Sequence, residues 1–389
     1  APLLFKSLLE YPLAMSAACL FSPLVFWRWP KGRGWLDLPI AVVVALLCAV
    51  ALFRSHGQNR DFAMLVSMAL CFVTLGRPVC FAISAAALLL MIGQYYDVVE
   101  QVQLRERDFY GVLRVKQDPQ FRYLLHGRIL HGTQRRDSEP EARNVPLLDH
   151  RQPWRSAPGV RHVPLLYYYP TGPIGQVFRA PLPALQSDSP VAVIGLGVGS
   201  LAYYGRPQQE FTFYEIDPAV EKIASNEEYF TFLRDSRAKV RVVLGDARLS
   251  LQQAPAAHYA LIVVDAFSGD AIPVHLLTHE AMQLYVAKLA PGGVLAFHIS
   301  NNFLDLAPVL GNLASASQLV GLDQNETVVS DEDQADGKSA SHWAILARRE
   351  ADFGPLANDE RWRPLAVAPE IPLWTDHYTS LWGVARWNE

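Results

Sequence analysis

The sequence has little cysteine, and all of it lies near the amino terminus. The four cysteines occur among the residues up to Cys80, and none follows in the rest of the 389-residue chain. A disulfide framework or a cysteine-based zinc site is therefore excluded from the larger carboxyl-terminal part. Charge is also scarce, since charged residues make up 19% of the chain and apolar residues 51%. Because the net charge is −4 and no long basic run occurs, nucleic acid is not an expected partner.

Residues 1–95 contain few charges and four apolar stretches. A helix needs about 20 apolar residues to cross the hydrocarbon core of a bilayer, and the second stretch meets this length most clearly. The third and fourth stretches are shorter and also fit buried or re-entrant segments. Tryptophans bracket a basic cluster at Arg28–Arg33, as is typical of a membrane interface. The pattern predicts transmembrane helices in a lipid bilayer over Tyr11–Trp27, Leu36–Phe53, Phe62–Leu75 and Pro78–Gly93.

The chain is expected to have three parts, of which the transmembrane region 1–95 is the first. Residues 96–165 predict a linker helix and a small β-domain, because alternating aromatic and β-branched residues lie between turn residues. In residues 166–389, short apolar runs alternate with helical stretches, which indicates a doubly wound α/β sheet. The predicted strands of this sheet are Val191–Ile194, Phe211–Tyr214, Val240–Val243, Ala260–Val264 and Gly293–His298.

A glycine-rich loop containing Gly195, Gly197 and Gly199 follows the first of these strands directly. Glycines let the backbone turn sharply and approach a ligand beside the N-terminus of a helix. Glu215 ends the second strand about 20 residues later, where an acidic side chain can accept hydrogen bonds from both hydroxyls of a ribose. The loop and the acid together predict a nucleotide-binding site of the Rossmann type.

Further acids follow the next strands. Asp217 lies just beyond Glu215, Asp246 and Ala247 follow the third strand, and Asp265 ends the fourth. A carboxylate and a neighbouring backbone amide at the third strand can contact an adenine ring. Each acid alone also fits a capping or turn role, but the ordered set falls at the strand ends where open α/β sheets bind ligands. The set favours an S-adenosyl-type site, and the loop lacks the G-x-G-x-x-G spacing of a dinucleotide dehydrogenase.

With these motifs the chain resembles the spermidine/spermine synthase (polyamine aminopropyltransferase) family over about residues 107–310, and most closely its bacterial membrane-fused members. In such proteins further membrane helices precede the stretch that corresponds to Leu8–Leu13. The resemblance therefore implies that this chain is part of a precursor with further membrane helices before it. The resemblance implies an S-adenosyl-type Rossmann sheet preceded by a small β-domain and by transmembrane helices. The matching segments include Phe109–Gly111, His126–Gly127, His131–Gly132, Tyr168–Tyr169, Asp265–Ser268, Asp270–Pro273 and His298–Asn301.

The resemblance also implies a donor and an acceptor. The donor would be decarboxylated S-adenosylmethionine, or S-adenosylmethionine itself, with no metal, and Gln134 would join the donor-binding residues Glu215, Asp246 and Ala247. The acceptor would be a small amine. Asp265, together with Asp270 and the hydroxyl of Tyr168 or Tyr169, would hold the ammonium group and remove its proton before attack.

The implied function is that of a membrane-anchored aminopropyltransferase of polyamine synthesis. It would lie in the inner (cytoplasmic) membrane as a multi-pass protein, with its soluble domain in the cytoplasm where the donor is made. Two alternatives stay open: an S-adenosylmethionine-dependent methyltransferase or other S-adenosyl enzyme acting on a small or lipid-like acceptor, and a non-catalytic nucleoside-binding module. A homodimer is a further option for the assembly.

Overall fold

The computed structural model separates the chain into two compact units, Ala1–Asp118 and Pro119–Glu389. The boundaries predicted above, at 1–95, 96–165 and 166–389, remain a prediction. The residues described in the structure are 36–54, 59–74, 77–99, 101–127, 129–136, 163–186, 188–267 and 272–386.

In the described part of the first unit, three helices precede a β-hairpin. Buried cysteines of the first two helices pack with Leu88 of the third in a small apolar cluster. The helical pattern ends at Val99, and the alternating residues after it form a strand rather than a longer linker helix. The elements are α1 (Asp37–Arg54), α2 (Asn59–Val73), α3 (Pro78–Val99), β1 (Val102–Arg107) and β2 (Val112–Gln117).

The multi-pass membrane location predicted for this region is wrong for the residues that the structure describes. Among them, no helix combines the length and the apolar character that a bilayer crossing requires. The helix α2 has 15 residues, below the about 17–25 that span a hydrocarbon core. The 22 residues of α3 include the polar sequence Gln94–Asp97. The first predicted stretch, Tyr11–Trp27, lies outside the described residues.

The second unit begins with an antiparallel hairpin of β3 (Phe121–His126) and β4 (Ile129–Arg135). Its register shifts where Leu124 pairs with Gly132 and Leu125 pairs with Leu130, so that His131 is the extra residue of a β-bulge. A bulge changes the direction of the side chains that follow it. The bulge therefore brings the backbone of His131 against the glycine-rich loop.

The predicted doubly wound α/β sheet is confirmed. Five strands pair in parallel in the order β7-β6-β5-β8-β9, and both β5 and β8 are buried along their whole length, as their continuous apolar runs predict. The strands are β5 (Val191–Ile194), β6 (Glu210–Glu215), β7 (Lys239–Leu244), β8 (Tyr259–Val264) and β9 (Leu289–His298).

Helices connect these strands, and the chain reverses direction across the sheet at β5. Because β6 lies on one side of β5 and β8 on the other, the loops after β5 and β8 diverge and open a crevice at their carboxyl ends. The site residues fall at this crevice. The helices are α4 (Pro173–Arg179), α5 (Pro218–Ala224), α6 (Ala247–Gln252), α7 (His279–Lys288) and α8 (Ala307–Ala316).

An antiparallel edge completes the sheet. β11 (Ser341–Ala347) is inserted between β9 and β10 (Val320–Glu326), and the two-residue β12 (Arg363–Pro364) pairs with the outer side of β10. The short helix α9 (Asp331–Ala335) lies between β10 and β11. The insertion pairs Trp343 of β11 directly with His298 of the neighbouring strand β9.

Candidate active site

The glycine-rich loop after β5 has a conformation that only glycine adopts without strain. Gly195, Gly197 and Gly199 all have positive φ, at 100°, 54° and 80°. A Cβ atom on Gly195 would lie 2.4 Å from the carbonyl oxygen of Asp265, and one on Gly197 would lie 2.7 Å from the carbonyl oxygen of His131. The loop is therefore held between the end of β8 and the bulge of the hairpin.

Glu215 braces this loop from the end of β6. One carboxylate oxygen accepts the N–H of Leu196 at 2.9 Å, and the other accepts the N–H of Asp217 at 2.9 Å. Burial raises the pKa of Glu215, while the hydrogen bonds from backbone amides oppose that shift. Each carboxylate oxygen has a second lone pair, so Glu215 can also accept hydrogen bonds from a ribose.

Asp217 and Asp246 both serve as N-caps of helices. Asp217 accepts the N–H of Ala219 at 2.7 Å at the start of α5, and Asp246 accepts the N–H of Leu249 at 2.9 Å at the start of α6. Ala247 is the first residue of α6. The capping role that each acid fits on its own is thus observed, and it fixes the helix ends beside the crevice.

Asp265, at the end of β8, is the centre of a buried polar cluster. Its Oδ2 accepts the hydroxyl proton of Tyr168 over 2.5 Å, and its Oδ1 lies 2.7 Å from Nδ1 of His298. The side chain of Asp265 is only 4% exposed. Burial, and then the charge of Asp265, raises the pKa of Tyr168, so the phenol keeps its proton and donates it.

Of the two tyrosines predicted to provide a hydroxyl beside Asp265, the structure places Tyr168 there. The hydroxyl of Tyr169 instead points to Asp336, with 3.4 Å between the oxygens. Gln134 accepts the N–H of Thr231 and donates to its hydroxyl, and its part in donor binding stays a prediction. Asp270 lies outside the described residues.

His298 was part of the family resemblance but not among the predicted site residues. It stands at the end of β9, next to β8, and its ring stacks on Trp343 with 4.5 Å between centroids and an interplanar angle of 8°. Tyr167 covers it at 4.4 Å. Its Nε2 lies 2.9 Å from Oγ of Ser300. One signal in the sequence could have identified it. His298 ends β9, and Asp265 ends β8, the strand that pairs with β9.

His131 is the second histidine near Asp265. Burial, and then the neighbouring His126, lowers the pKa of His131 to about 4, whereas the charge of Asp265 acts in the opposite direction. The ring centroids of His126 and His131 lie 5.3 Å apart. His131 is therefore neutral at physiological pH. Within the described residues, no group of histidines, cysteines and acids is arranged to hold a metal ion.

The low pKa of His131 predicts a stability that depends on pH. The unfolded chain takes up a proton near pH 6.5, while the folded chain takes it up only near pH 4. The free energy of unfolding should therefore fall as the pH drops from 6.5 to 4, by up to about 3 kcal/mol. Urea unfolding at pH 7 and pH 5 measures this, and His131→Gln should flatten the dependence. An equal dependence in the variant would assign the effect to other groups.

The face of the hairpin that points away from the glycine-rich loop lines a cavity of about 570 Å³. Lys338 is the one charged residue among its described lining residues, and its ammonium group is paired with Glu326 at 2.7 Å. Thr133 contributes a buried hydroxyl that has no hydrogen-bond partner among the described residues. The cavity thus offers room and neutral polar groups close to the segment that carries Tyr168.

The carboxyl-terminal segment is attached beside Asp246. Asp376 accepts two hydrogen bonds from Arg248 of α6, both at 2.8 Å, and one from Thr278 at 2.7 Å. These contacts lower the pKa of Asp376 to about 2. The segment is therefore fastened to the helix whose N-cap is Asp246.

The chain was compared with known proteins, and no family model matches it. It is similar to a polyamine aminopropyltransferase of Vibrio vulnificus, with 36% identity over 120 residues that cover 29% of this chain and 37% of the relative. It is also similar to an N-terminal histidine N-methyltransferase of Emericella nidulans, with 33% identity over 129 residues, 31% of this chain and 22% of the relative. The chain thus spans well under half the length of these curated relatives.

Among solved structures, a probable spermidine synthase from Corynebacterium glutamicum matches with a TM-score of 0.43 and 16% identity, over 67% of this chain and 90% of that one. A spermidine synthase from Thermotoga maritima matches with a TM-score of 0.39 and 14% identity, over 69% and 81%. The aminopropyltransferase relative confirms the resemblance to the spermidine/spermine synthase family. The membrane-fused subtype is not confirmed.

Proposed function

We propose that this chain, a relative of the spermidine/spermine synthases, is a transferase that moves an aminopropyl group from decarboxylated S-adenosylmethionine to a small amine. The observation that carries the proposal is the buried cluster of Tyr168, Asp265 and His298 beside the glycine-rich loop. A nucleoside site and a buried carboxylate that can accept a proton are the two parts that such a transfer needs.

The donor would lie along the glycine-rich loop. Its ribose hydroxyls would donate to Glu215, whose carboxylate retains lone pairs after accepting two backbone amides. Its adenine would lie near Asp246 and Ala247 at the start of α6. Gln134, whose amide is oriented by Thr231, is a further proposed donor-binding residue.

The acceptor must lose a proton before it can attack. A protonated amine has no free lone pair, and Asp265 is the buried carboxylate that would hold the ammonium group and take one proton from it. The amine nitrogen then bonds to the aminopropyl carbon next to the sulfonium, the carbon–sulfur bond breaks, and methylthioadenosine leaves. Because the reaction is a direct displacement, the positioning of the two substrates should supply much of the rate.

Tyr168 keeps the carboxylate in place for this step. Its hydroxyl stays protonated and donates to Oδ2 of Asp265, and Tyr204 in turn donates to the carbonyl oxygen of Tyr168 at 2.5 Å. Each carboxylate oxygen can accept a further hydrogen bond, which leaves a place for the acceptor's ammonium group. Asp270 remains a proposed second carboxylate for the acceptor.

Product analysis tests the proposal. The purified chain is incubated with decarboxylated S-adenosylmethionine and a panel of monoamines, diamines and triamines, and in parallel with S-adenosylmethionine. Release of methylthioadenosine with any amine supports the aminopropyltransferase, whereas release of S-adenosylhomocysteine would support a methyltransferase. If neither nucleoside forms and neither donor binds in calorimetry, the S-adenosyl assignment is wrong.

Replacing Glu215 with alanine should weaken the binding of methylthioadenosine. The change removes an acceptor for ribose and leaves the N–H of Leu196 without its carboxylate, so the loss should be about 1–3 kcal/mol. Titration calorimetry measures it. The matched control is Glu210→Ala at the half-buried start of the same strand, where the carboxylate of Glu210 pairs with the exposed ammonium group of Lys239. Equal affinities of the two variants would remove Glu215 from the site.

A further inference from the structure

We propose that His298 is a positioning residue of the acceptor site. Its Nδ1–H donates to Oδ1 of Asp265 and fixes the orientation of the carboxylate. The other oxygen, Oδ2, which accepts the hydroxyl proton of Tyr168, then faces the amine. This inference rests on the proposed function, because it assigns a role in the handling of the acceptor at the same site. It adds a residue that acts through Asp265 and does not touch the acceptor.

The ring of His298 is fixed from several directions. It lies parallel to the indole of Trp343, its partner across the β9–β11 pair, and Phe267 meets it edge-on at 4.9 Å. The side chain is 3% exposed. A ring held between flat neighbours cannot rotate freely, so the direction of its Nδ1–H is set before any substrate arrives.

Ser300 sets the position of the ring proton. Its Oγ accepts the backbone N–H of His342 at 2.8 Å, which leaves the hydroxyl proton free to donate to Nε2 of His298 at 2.9 Å. In that arrangement Nε2 is an acceptor and Nδ1 carries the proton that Asp265 accepts. The tautomer is assigned from this hydrogen-bond network.

The groups packed around Asp265 leave the hydrogen bond from His298 as a neutral contact. Burial raises the pKa of both Tyr167 and Tyr168 and lowers that of His131 to about 4, so these three side chains stay uncharged near neutral pH. The ring of His342, on the neighbouring strand, is directed to Asp323 at 2.7 Å.

Two substitutions test the hydrogen bond from His298 to Asp265. His298→Asn keeps an N–H donor on the side of Asp265. His298→Leu removes the donor altogether. We measure kcat and KM for the acceptor between pH 5.5 and 8.5, the affinity for methylthioadenosine by calorimetry, and thermal unfolding for each variant.

We expect His298→Leu to lower kcat/KM for the acceptor about 100-fold, the scale of a misplaced reacting group, with the affinity for methylthioadenosine unchanged. His298→Asn should recover much of this loss. Wild-type acceptor kinetics in His298→Leu, or acceptor kinetics in His298→Asn as poor as those of His298→Leu, would overturn the proposal.

A spectroscopic measurement separates this inference from the proposed function. In protein with ¹⁵N-labelled histidine, the signal that disappears in His298→Asn should show the proton on Nδ1, and it should shift in Asp265→Asn. If the wild type transfers no group to any amine, the proposed function has failed, and the acceptor role of His298 fails with it. If transfer occurs but the proton is found on Nε2, only the positioning role is wrong.

Discussion

Replacing Asp265 with asparagine is expected to lower turnover by about three orders of magnitude, within the range that a removed general base costs. The amide can fill the same space between Tyr168 and His298, so the fold should persist. It cannot accept the proton of an ammonium group, and it provides no negative charge to attract one. Steady-state assays of methylthioadenosine release measure the loss, and calorimetry should show that the donor still binds within about threefold of the wild type.

The chain contains a matched control for this substitution. Asp323 also lies 2.7 Å from a histidine nitrogen, that of His342, and it stands on the antiparallel edge of the same sheet. Asp323→Asn should therefore report what the loss of any carboxylate–imidazole pair costs, and turnover should stay within about twofold of the wild type. Equal losses in both variants would point to a general structural effect. Near wild-type turnover of Asp265→Asn would exclude Asp265 as the base.

The donor half of the candidate site follows from local patterns in the sequence. The run Val191–Ile194 is continuous and apolar because β5 is buried on both faces, and the glycines after it have positive φ. Glu215 is found by counting onward to the end of the next strand. These features lie within a single β-loop-helix-β unit, where the order of residues along the chain determines their order in space.

The acceptor half depends on contacts between residues that are distant in sequence. His298 meets Asp265 because β9 pairs in parallel with β8, and it stacks on Trp343 because β11 is inserted antiparallel beside β9. No local pattern predicted that insertion. Tertiary contacts also decide which tyrosine lies beside the acceptor site. Tyr168 and Tyr169 are adjacent in the chain, but the hydroxyl of Tyr168 is directed to Asp265 and that of Tyr169 to Asp336.

The apolar helices show the limit of a composition argument. Hydropathy predicted helical stretches before residue 95, and α1, α2 and α3 occupy most of that sequence. Crossing a bilayer requires that apolar character continue without interruption for a sufficient length, which depends on where each helix starts and stops. Those ends are set by capping and turn residues such as Pro78, and hydropathy does not report them.

The second large effect is expected from Gly195→Ala, which should abolish detectable binding of methylthioadenosine. The added Cβ would lie 2.4 Å from the carbonyl oxygen of Asp265, and both groups belong to backbone that is fixed by the β5–β8 pair. Relief of the clash must separate the loop from Asp265, which moves the donor-binding backbone and the proposed base apart. Calorimetry measures the binding, and thermal unfolding should show a fall in Tm.

Gly127→Ala separates this clash from the cost of the backbone conformation alone. Gly127 has a φ of 60°, close to the left-handed values of the loop glycines, but a Cβ there meets no atom within 4 Å. Its substitution should cost only the conformational strain, about 1–2 kcal/mol of stability, and should leave nucleoside binding unchanged. If Gly195→Ala behaved like Gly127→Ala, the contact between the glycine-rich loop and Asp265 would not be required for the donor. The geometry predicts the opposite, because the added Cβ would meet the backbone of Asp265 while Glu215 holds the N–H of Leu196 in the same loop.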